Sequence, residues 1–177
     1  MSGASEQSRW NDVLALASSE AGVLRHHLQS LVGPVGPAGL DDLVQETLLA
    51  TFHAFARHGP EARTRQFLLG VATLIARQHR ARRRRRGSLV DRLVAPFLAR
   101  TTSAEVTGAA QELARLSEVL DGLADPLREA FVLVHVEQHT LAEAAGILGV
   151  PVSTLHHRAT RAHALVRAAL GDADALP

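Results

Sequence analysis

The chain has 177 residues, 46% hydrophobic but only 3% aromatic, with no Cys and a formal net charge of +1. Without thiols it can form no disulfide, thiolate zinc site or Cys nucleophile, and a cytoplasmic, reducing setting is expected. No run of about 18 uncharged apolar residues could span a bilayer, and no basic start leading into an apolar run marks a signal peptide.

Ala and Leu dominate the apolar residues and few segments alternate with period two, so the chain is expected to be all-α. Its length suits one ordinary domain or two small ones. Residues 1–8 are small and polar and are expected to fray. From Arg9 to Val32, Val13, Leu14, Leu16, Ala17, Val23, Leu24, Leu28 and Leu31 recur at helical spacing. "GPVGPAG" at 33–39 must break that helix. Asp41 is the expected N-cap of the next, with Asp42 and Glu46 in its first turns. Leu43, Leu48, Phe52 and Phe55 mark its buried stripe up to Arg57, and "HGP" at 58–60 ends it.

A helix over 63–85 carries Phe67, Leu68, Val71, Leu74 and Ile75 until arginines replace the apolar face. Every basic residue of the chain is Arg, and seven fall within 77–86 (Arg77, Arg80 and Arg82 to Arg86). Such a block in a near-neutral chain points to a polyanion held on one face. Segment 87–108, with Pro96, Thr101, Thr102, Ser103 and Gly108, reads as a linker, which places two small helical domains at 8–86 and 109–171. In the second, a helix over 109–122 ends at Gly122, and Asp125 is expected to cap another with Pro126 at its first position. Leu127, Ala130, Phe131 and Val134 form its stripe. Thr140 caps a short helix ending near Gly149, and a last helix, opening at Val150-Pro151 or Ser153, reaches Leu170.

Residues 141–158 fit a helix-turn-helix. Ala145 is small where two helices meet, Gly149 supplies a positive φ at the turn, Val150 and Leu155 fill the space between helices, and Pro151 opens the second helix. The second helix of such a motif enters the major groove. Ser153, Thr154, His156, His157, Arg158 and Arg161 are its available polar groups, the arginines suited to guanine or phosphate.

"LADPLREAFVLVHVEQHTLAEAAGILGVPVSTLHHRATRAHALVRAAL" resembles region 4 of bacterial RNA polymerase sigma factors of the extracytoplasmic-function (ECF) type. "DDLVQETLLATFHAF" and "FLLGVATLIARQHRARRRRR" resemble the polymerase-binding and promoter-melting helices of region 2 of the same family. The likeness covers about 10–170 in the expected order. It implies a promoter-specificity subunit, not itself an enzyme, that contacts the clamp and flap of RNA polymerase core. Asp41, Asp42, Gln45, Glu46 and Thr47 would face the core. Phe67, Arg77, Arg80, Arg82, Arg83 and Arg84 would meet the −10 element, and Ser153, Thr154, His156, His157, Arg158 and Arg161 the −35 element. Promoter DNA and an anti-sigma factor are the implied further partners, with no cofactor. The sequence departs from the family pattern at Phe67, where Trp is frequent, at Ala72-Thr73-Leu74, and at His156, where Lys is usual.

Three other classes stand beside this one: a polymerase-independent helix-turn-helix regulator, a sigma-like protein that sequesters an anti-sigma factor, and a helical hydrolase. No nucleophile–base spacing or Gly-rich phosphate loop supports the last. The adjacent pairs His26/His27 and His156/His157, and His53 with His58, are poorly set to chelate, so no metal is expected.

Overall fold

The computed structural model describes residues 2–58, 64–98 and 108–171. They form α1 (Ser2–Val32), α2 (Pro37–His58), α3 (Arg65–Leu98), α4 (Gly108–Gly122), α5 (Asp125–Phe131), α6 (Leu141–Leu148) and α7 (Val152–Gly171). α5 runs on into a wider π-helical turn, Val132–Val136, where the Glu137 amide donates to the Val132 carbonyl at 2.9 Å. Among the described residues the architecture is all-α.

Several boundaries differ from the expected ones for local reasons. α1 already begins at Ser2, so residues 2–8 are helical. α2 begins at Pro37, whose missing N–H is no loss in a first turn, and the Leu40 amide already donates to the Gly36 carbonyl (3.0 Å). Asp41 is therefore inside the helix and not its cap; it pairs with Arg25 of α1. α3 does not stop at the arginines. It continues to Leu98, through much of the expected linker, while Thr101, Thr102 and Ser103 lie outside the described residues and Gly108 opens α4. The N-cap of α5 is Ala124, with no side-chain cap bond, so Asp125 is its first helical residue.

α1, α2 and α3 pack as a three-helix unit around Leu24, Leu28, Leu31 and Val32, Leu43, and Leu68, Ala72, Ile75 and Ala76. Trp10 stacks on Phe52 (centroids 4.0 Å apart) beside Val13 and Phe55, and the half-buried Phe67 lies against this group. Thr47, Thr51 and Thr73 are buried, and each hydroxyl donates to the carbonyl four residues back (2.8, 2.8 and 2.9 Å), so none is left unpaired.

In the second half, Ala130, Leu133, Ala144, Ala145, Ile147, Leu155 and Ala159 form one core, and Leu120, Leu123, Phe131, Ala162 and Val166 another. The halves are not separate. Leu69 of α3 belongs to the core beneath α6 and α7, and Val132 inserts into the core of the first three helices. α3 and α6 approach closely at Gly70, where a Cβ would lie 2.8 Å from the Ile147 carbonyl oxygen.

Candidate nucleic-acid and polymerase interface

The turn before α7 is held by local chemistry. Thr140 caps α6 by accepting from the Glu143 amide (3.2 Å), while the Glu143 carboxylate accepts from the Thr140 amide (2.9 Å) and hydroxyl (2.8 Å). Those bonds from Thr140 hold the Glu143 carboxyl below its ordinary range. Gly149, at φ 62°, ends α6 in the left-handed region, and the Val150 amide returns to the Ala145 carbonyl at 3.0 Å. This aims α7 with Leu155, Ala159, Ala162 and Val166 inward. Ser153, His156, His157 and Arg161 are then exposed together at helical i, i+3, i+4 spacing, with Arg158 and Thr154 half-buried at the flank.

On α3 the arginines divide into two sets. Arg77, Arg80 and Arg84 share one stripe, and it points into the second half. Arg77 grips the buried Glu129 with a two-pronged fork (Nε–Oε1 2.8 Å, NH2–Oε2 2.6 Å). Arg80 is buried and bonds Asp125 (2.9 Å), with Asp121 at 4.0 Å, while Arg84 reaches the other oxygen of Asp125 (2.7 Å). Hydrogen bonding to Glu129 raises the Arg77 pKa, and hydrogen bonding to Asp125 raises that of Arg84. Burial first, and then neighbouring Arg128, lower that of Arg80. Burial pushes Asp125 upward, but Arg84, Arg80 and Arg77 together hold it below the usual carboxylate range. In this arrangement three of the five arginines expected to face DNA are turned onto carboxylates instead. Arg82 and Arg83 are exposed on the other sides of α3, Arg82 lying 3.5 Å from Glu46 of α2.

Of the residues expected to meet polymerase, Asp42 and Gln45 are exposed and Asp41 and Glu46 partly so. Thr47 is corrected: it is fully buried, its hydroxyl on the Leu43 carbonyl, and offers nothing to a partner. Sequence reasoning passed over Asp121, Asp125 and Glu129 as partners of the arginine stripe, although Asp125 and Glu129 are four apart, the spacing of one helix face. It also missed His27, wholly buried, with Nδ1 at 3.0 and 2.9 Å from the Glu137 carboxylate and Nε2 at 2.9 Å from Thr73. Among the described residues no group of three His, Cys, Asp or Glu is placed to hold a metal ion.

Residues 113–164, which include α5, α6 and the exposed face of α7, match the family model of sigma-70 region 4. Over 127 residues the chain is 29% identical to the "ECF RNA polymerase sigma factor SigC" of Mycobacterium tuberculosis and to the "Probable RNA polymerase sigma-C factor" of Mycobacterium bovis. The chain is thus similar to ECF-type sigma-70 factors, through the region 4 match at 113–164 and the two mycobacterial relatives. The alignments cover 69% of this chain and 65% of each relative, a little under two thirds of their length. The likeness also extends into the first half. The structure of CnrH, solved in complex with the cytosolic domain of CnrY, superposes with a TM-score of 0.61 at 26% identity, covering 92% of this chain and 89% of that one. RpoE of Bartonella quintana, solved with the anti-sigma factor NepR, gives 0.52 at 21% identity over 91% and 95%, which is a likeness of fold.

Proposed function

We propose that this chain is an ECF-type sigma factor, a promoter-specificity subunit that binds RNA polymerase core and directs initiation at defined promoters, supplying no reaction chemistry of its own. The observation that carries this reading is the exposed face of α7, which gathers Ser153, His156, His157 and Arg161 on a capped helix-turn-helix inside the region 4 match. That face would enter the major groove of the −35 element, with Arg158 at its flank and Thr154 beside it. Asp41, Asp42, Gln45 and Glu46 would meet the polymerase clamp, and the flap would take the second half. Phe67, Arg82 and Arg83 would contact the −10 element, joined by Arg77, Arg80 and Arg84 once these leave their carboxylates. No described helix is long and apolar enough to cross a membrane, and work on a promoter would place the protein in the cytoplasm.

An anti-sigma factor is a proposed further partner; RpoE was solved with one. A second reading, a sigma-like protein that binds an anti-sigma factor without using promoters, is favoured by the sparse charge of α7, which has His156 where the family pattern has Lys. Run-off transcription with core polymerase on fragmented genomic DNA decides between them. Defined start sites are expected; core binding without any start site would favour the second reading, and no core binding would remove the first.

A further inference from the structure

We propose that His135 and His163 form a surface site for one divalent transition-metal ion (copper, nickel or zinc) that ties the turn after α5 to the side of α7. The site does not depend on the promoter reading.

Four observations carry it. The first is the spacing of the rings, whose centroids are 5.0 Å apart. A histidine nitrogen sits about 2.0–2.1 Å from zinc, which puts each ring centre roughly 3.2 Å from the ion and two such centres, at a near-tetrahedral angle, about 5 Å apart. The second is the footing of His135. Phe131, one turn earlier, has its ring centroid 5.0 Å from that of His135 and is packed in one core with Ala162 and Val166 of α7. The wide turn Val132–Val136 therefore leaves from a fixed point and presents His135 to α7. The third is the hydrogen bond between the His135 ring and the Ala159 backbone of α7. A ring N–H given to a backbone carbonyl fixes the tautomer and leaves the other nitrogen its lone pair, the usual state of a metal-bound histidine. The fourth is access. Both histidines are exposed, and His163 lines an open groove with Thr160 and Arg167.

The ligand set selects the ion. Imidazole suits copper, nickel and zinc, whereas magnesium and calcium want oxygen. Among the described residues no third His, Asp or Glu joins the pair, so water fills the remaining positions. Arg167, exposed one turn beyond His163 on the same face, repels a cation. The ion is thus held in open exchange with solvent, unlike a closed structural zinc.

The test uses the full-length chain without a histidine tag, stripped of metal with a chelator. Nickel chloride is added while the histidine ring signals are followed by NMR. His135 and His163 are expected to broaden together at substoichiometric nickel, well before the other histidines. His135→Gln and His163→Gln, each at an exposed position, should each remove this early broadening, while His156→Gln with His157→Gln should keep it. Zinc chloride should raise the urea midpoint of the parent but of neither single variant, because the ion joins elements that separate on unfolding. Magnesium should not raise it. Even broadening of all exposed histidines would mean an adventitious ion only and would overturn the site. So would a zinc response that survives both single variants, or an equal response to magnesium. Neither measurement contains polymerase or DNA, so a chain that passes both yet starts no transcription with core loses the proposed function and keeps this site.

Discussion

On α3, Arg77, Arg80 and Arg84 point into carboxylates that lie 41 to 52 residues further along the chain, whereas on α7 Arg161 stands in solvent beside His156 and His157. Both faces belong to helices whose opposite sides are packed in an apolar core. The difference lies in what each polar face meets. The α3 stripe has been given internal anions and is partly desolvated, so its charges belong to the packing. Among the described residues the α7 face is given none, which suits it to an external one. A basic residue on a helix is thus not in itself a free binding group, and the opposing surface decides. The distinction can be tested by substitutions whose effects should differ in kind as well as size.

The largest effect is expected under the α7 face. Leu155 is wholly buried against Leu133, Ala144 and Ala145, and Leu155→Ala should cost about 2–5 kcal/mol by leaving a cavity. Urea unfolding measures it; a loss under about 0.5 kcal/mol would mean that α7 does not rest on this side. Next come the arginines of α3, where the comparison is most direct. Arg77→Ala leaves Glu129 buried without its fork and should cost about 1–3 kcal/mol. That is less than for a fully buried pair, because the Arg77 side chain is 44% exposed. Arg83→Ala, on the solvent side of the same helix, should stay within about 0.5 kcal/mol. Equal costs at the two positions would erase the distinction between the two sets.

These contrasts also mark what could be read in advance. The all-α class follows from Ala- and Leu-rich periodicity, and the helix-turn-helix was legible because its signals are local. Thr140 and Glu143 are three residues apart, and Gly149 needs only its own backbone angle. Two starts were misplaced because a nearby competitor prevailed: Pro37 opens α2 before Asp41 can cap it, and Ala124 takes the cap position before Asp125. Thr47 was misassigned because a short polar side chain can turn inward and satisfy itself on the Leu43 carbonyl. The arginine–carboxylate stripe and the His27–Glu137 contact were not legible, since hydrophobic period shows which face is apolar but not which distant charge will meet it. Gly70 offered a signal, a glycine within a strong helical pattern, whose meaning appears only when Ile147 lies against it.

A smaller effect on the free protein, but a selective one on function, is expected at α7. Arg161→Ala should leave stability within about 0.5 kcal/mol, because the side chain is exposed. Promoter-directed transcription should fall about tenfold, the scale of one base contact at about 1–3 kcal/mol, with core binding unchanged. Adding Arg158→Ala should deepen the loss. Unchanged promoter use by the double variant would mean that another face of α7 enters the groove.

The smallest effect should come from a titrating contact between the helix that carries the carboxylates and the helix that carries the recognition face. His135, in the π-helical turn after α5, lies with its ring centroid 5.0 Å from those of both Phe131 and His163 of α7. Burial, and then the neighbouring charge of His163, lower its pKa, against a backbone hydrogen bond with Ala159 that raises it. A neutral His135 is therefore preferred in the folded chain, and on acidification the unfolded chain takes up this proton first. Its contribution is fully present above the ordinary histidine value of about 6.5 and is lost as pH falls from there through the lower folded value. His163→Gln removes the charged neighbour and should move the His135 midpoint upward in an NMR titration. His135→Gln should reduce the decline in urea midpoint on acidification from about neutral pH. A His135 midpoint at or above the ordinary value in the parent would show that this junction is open to water, and that acid acts on the fold elsewhere.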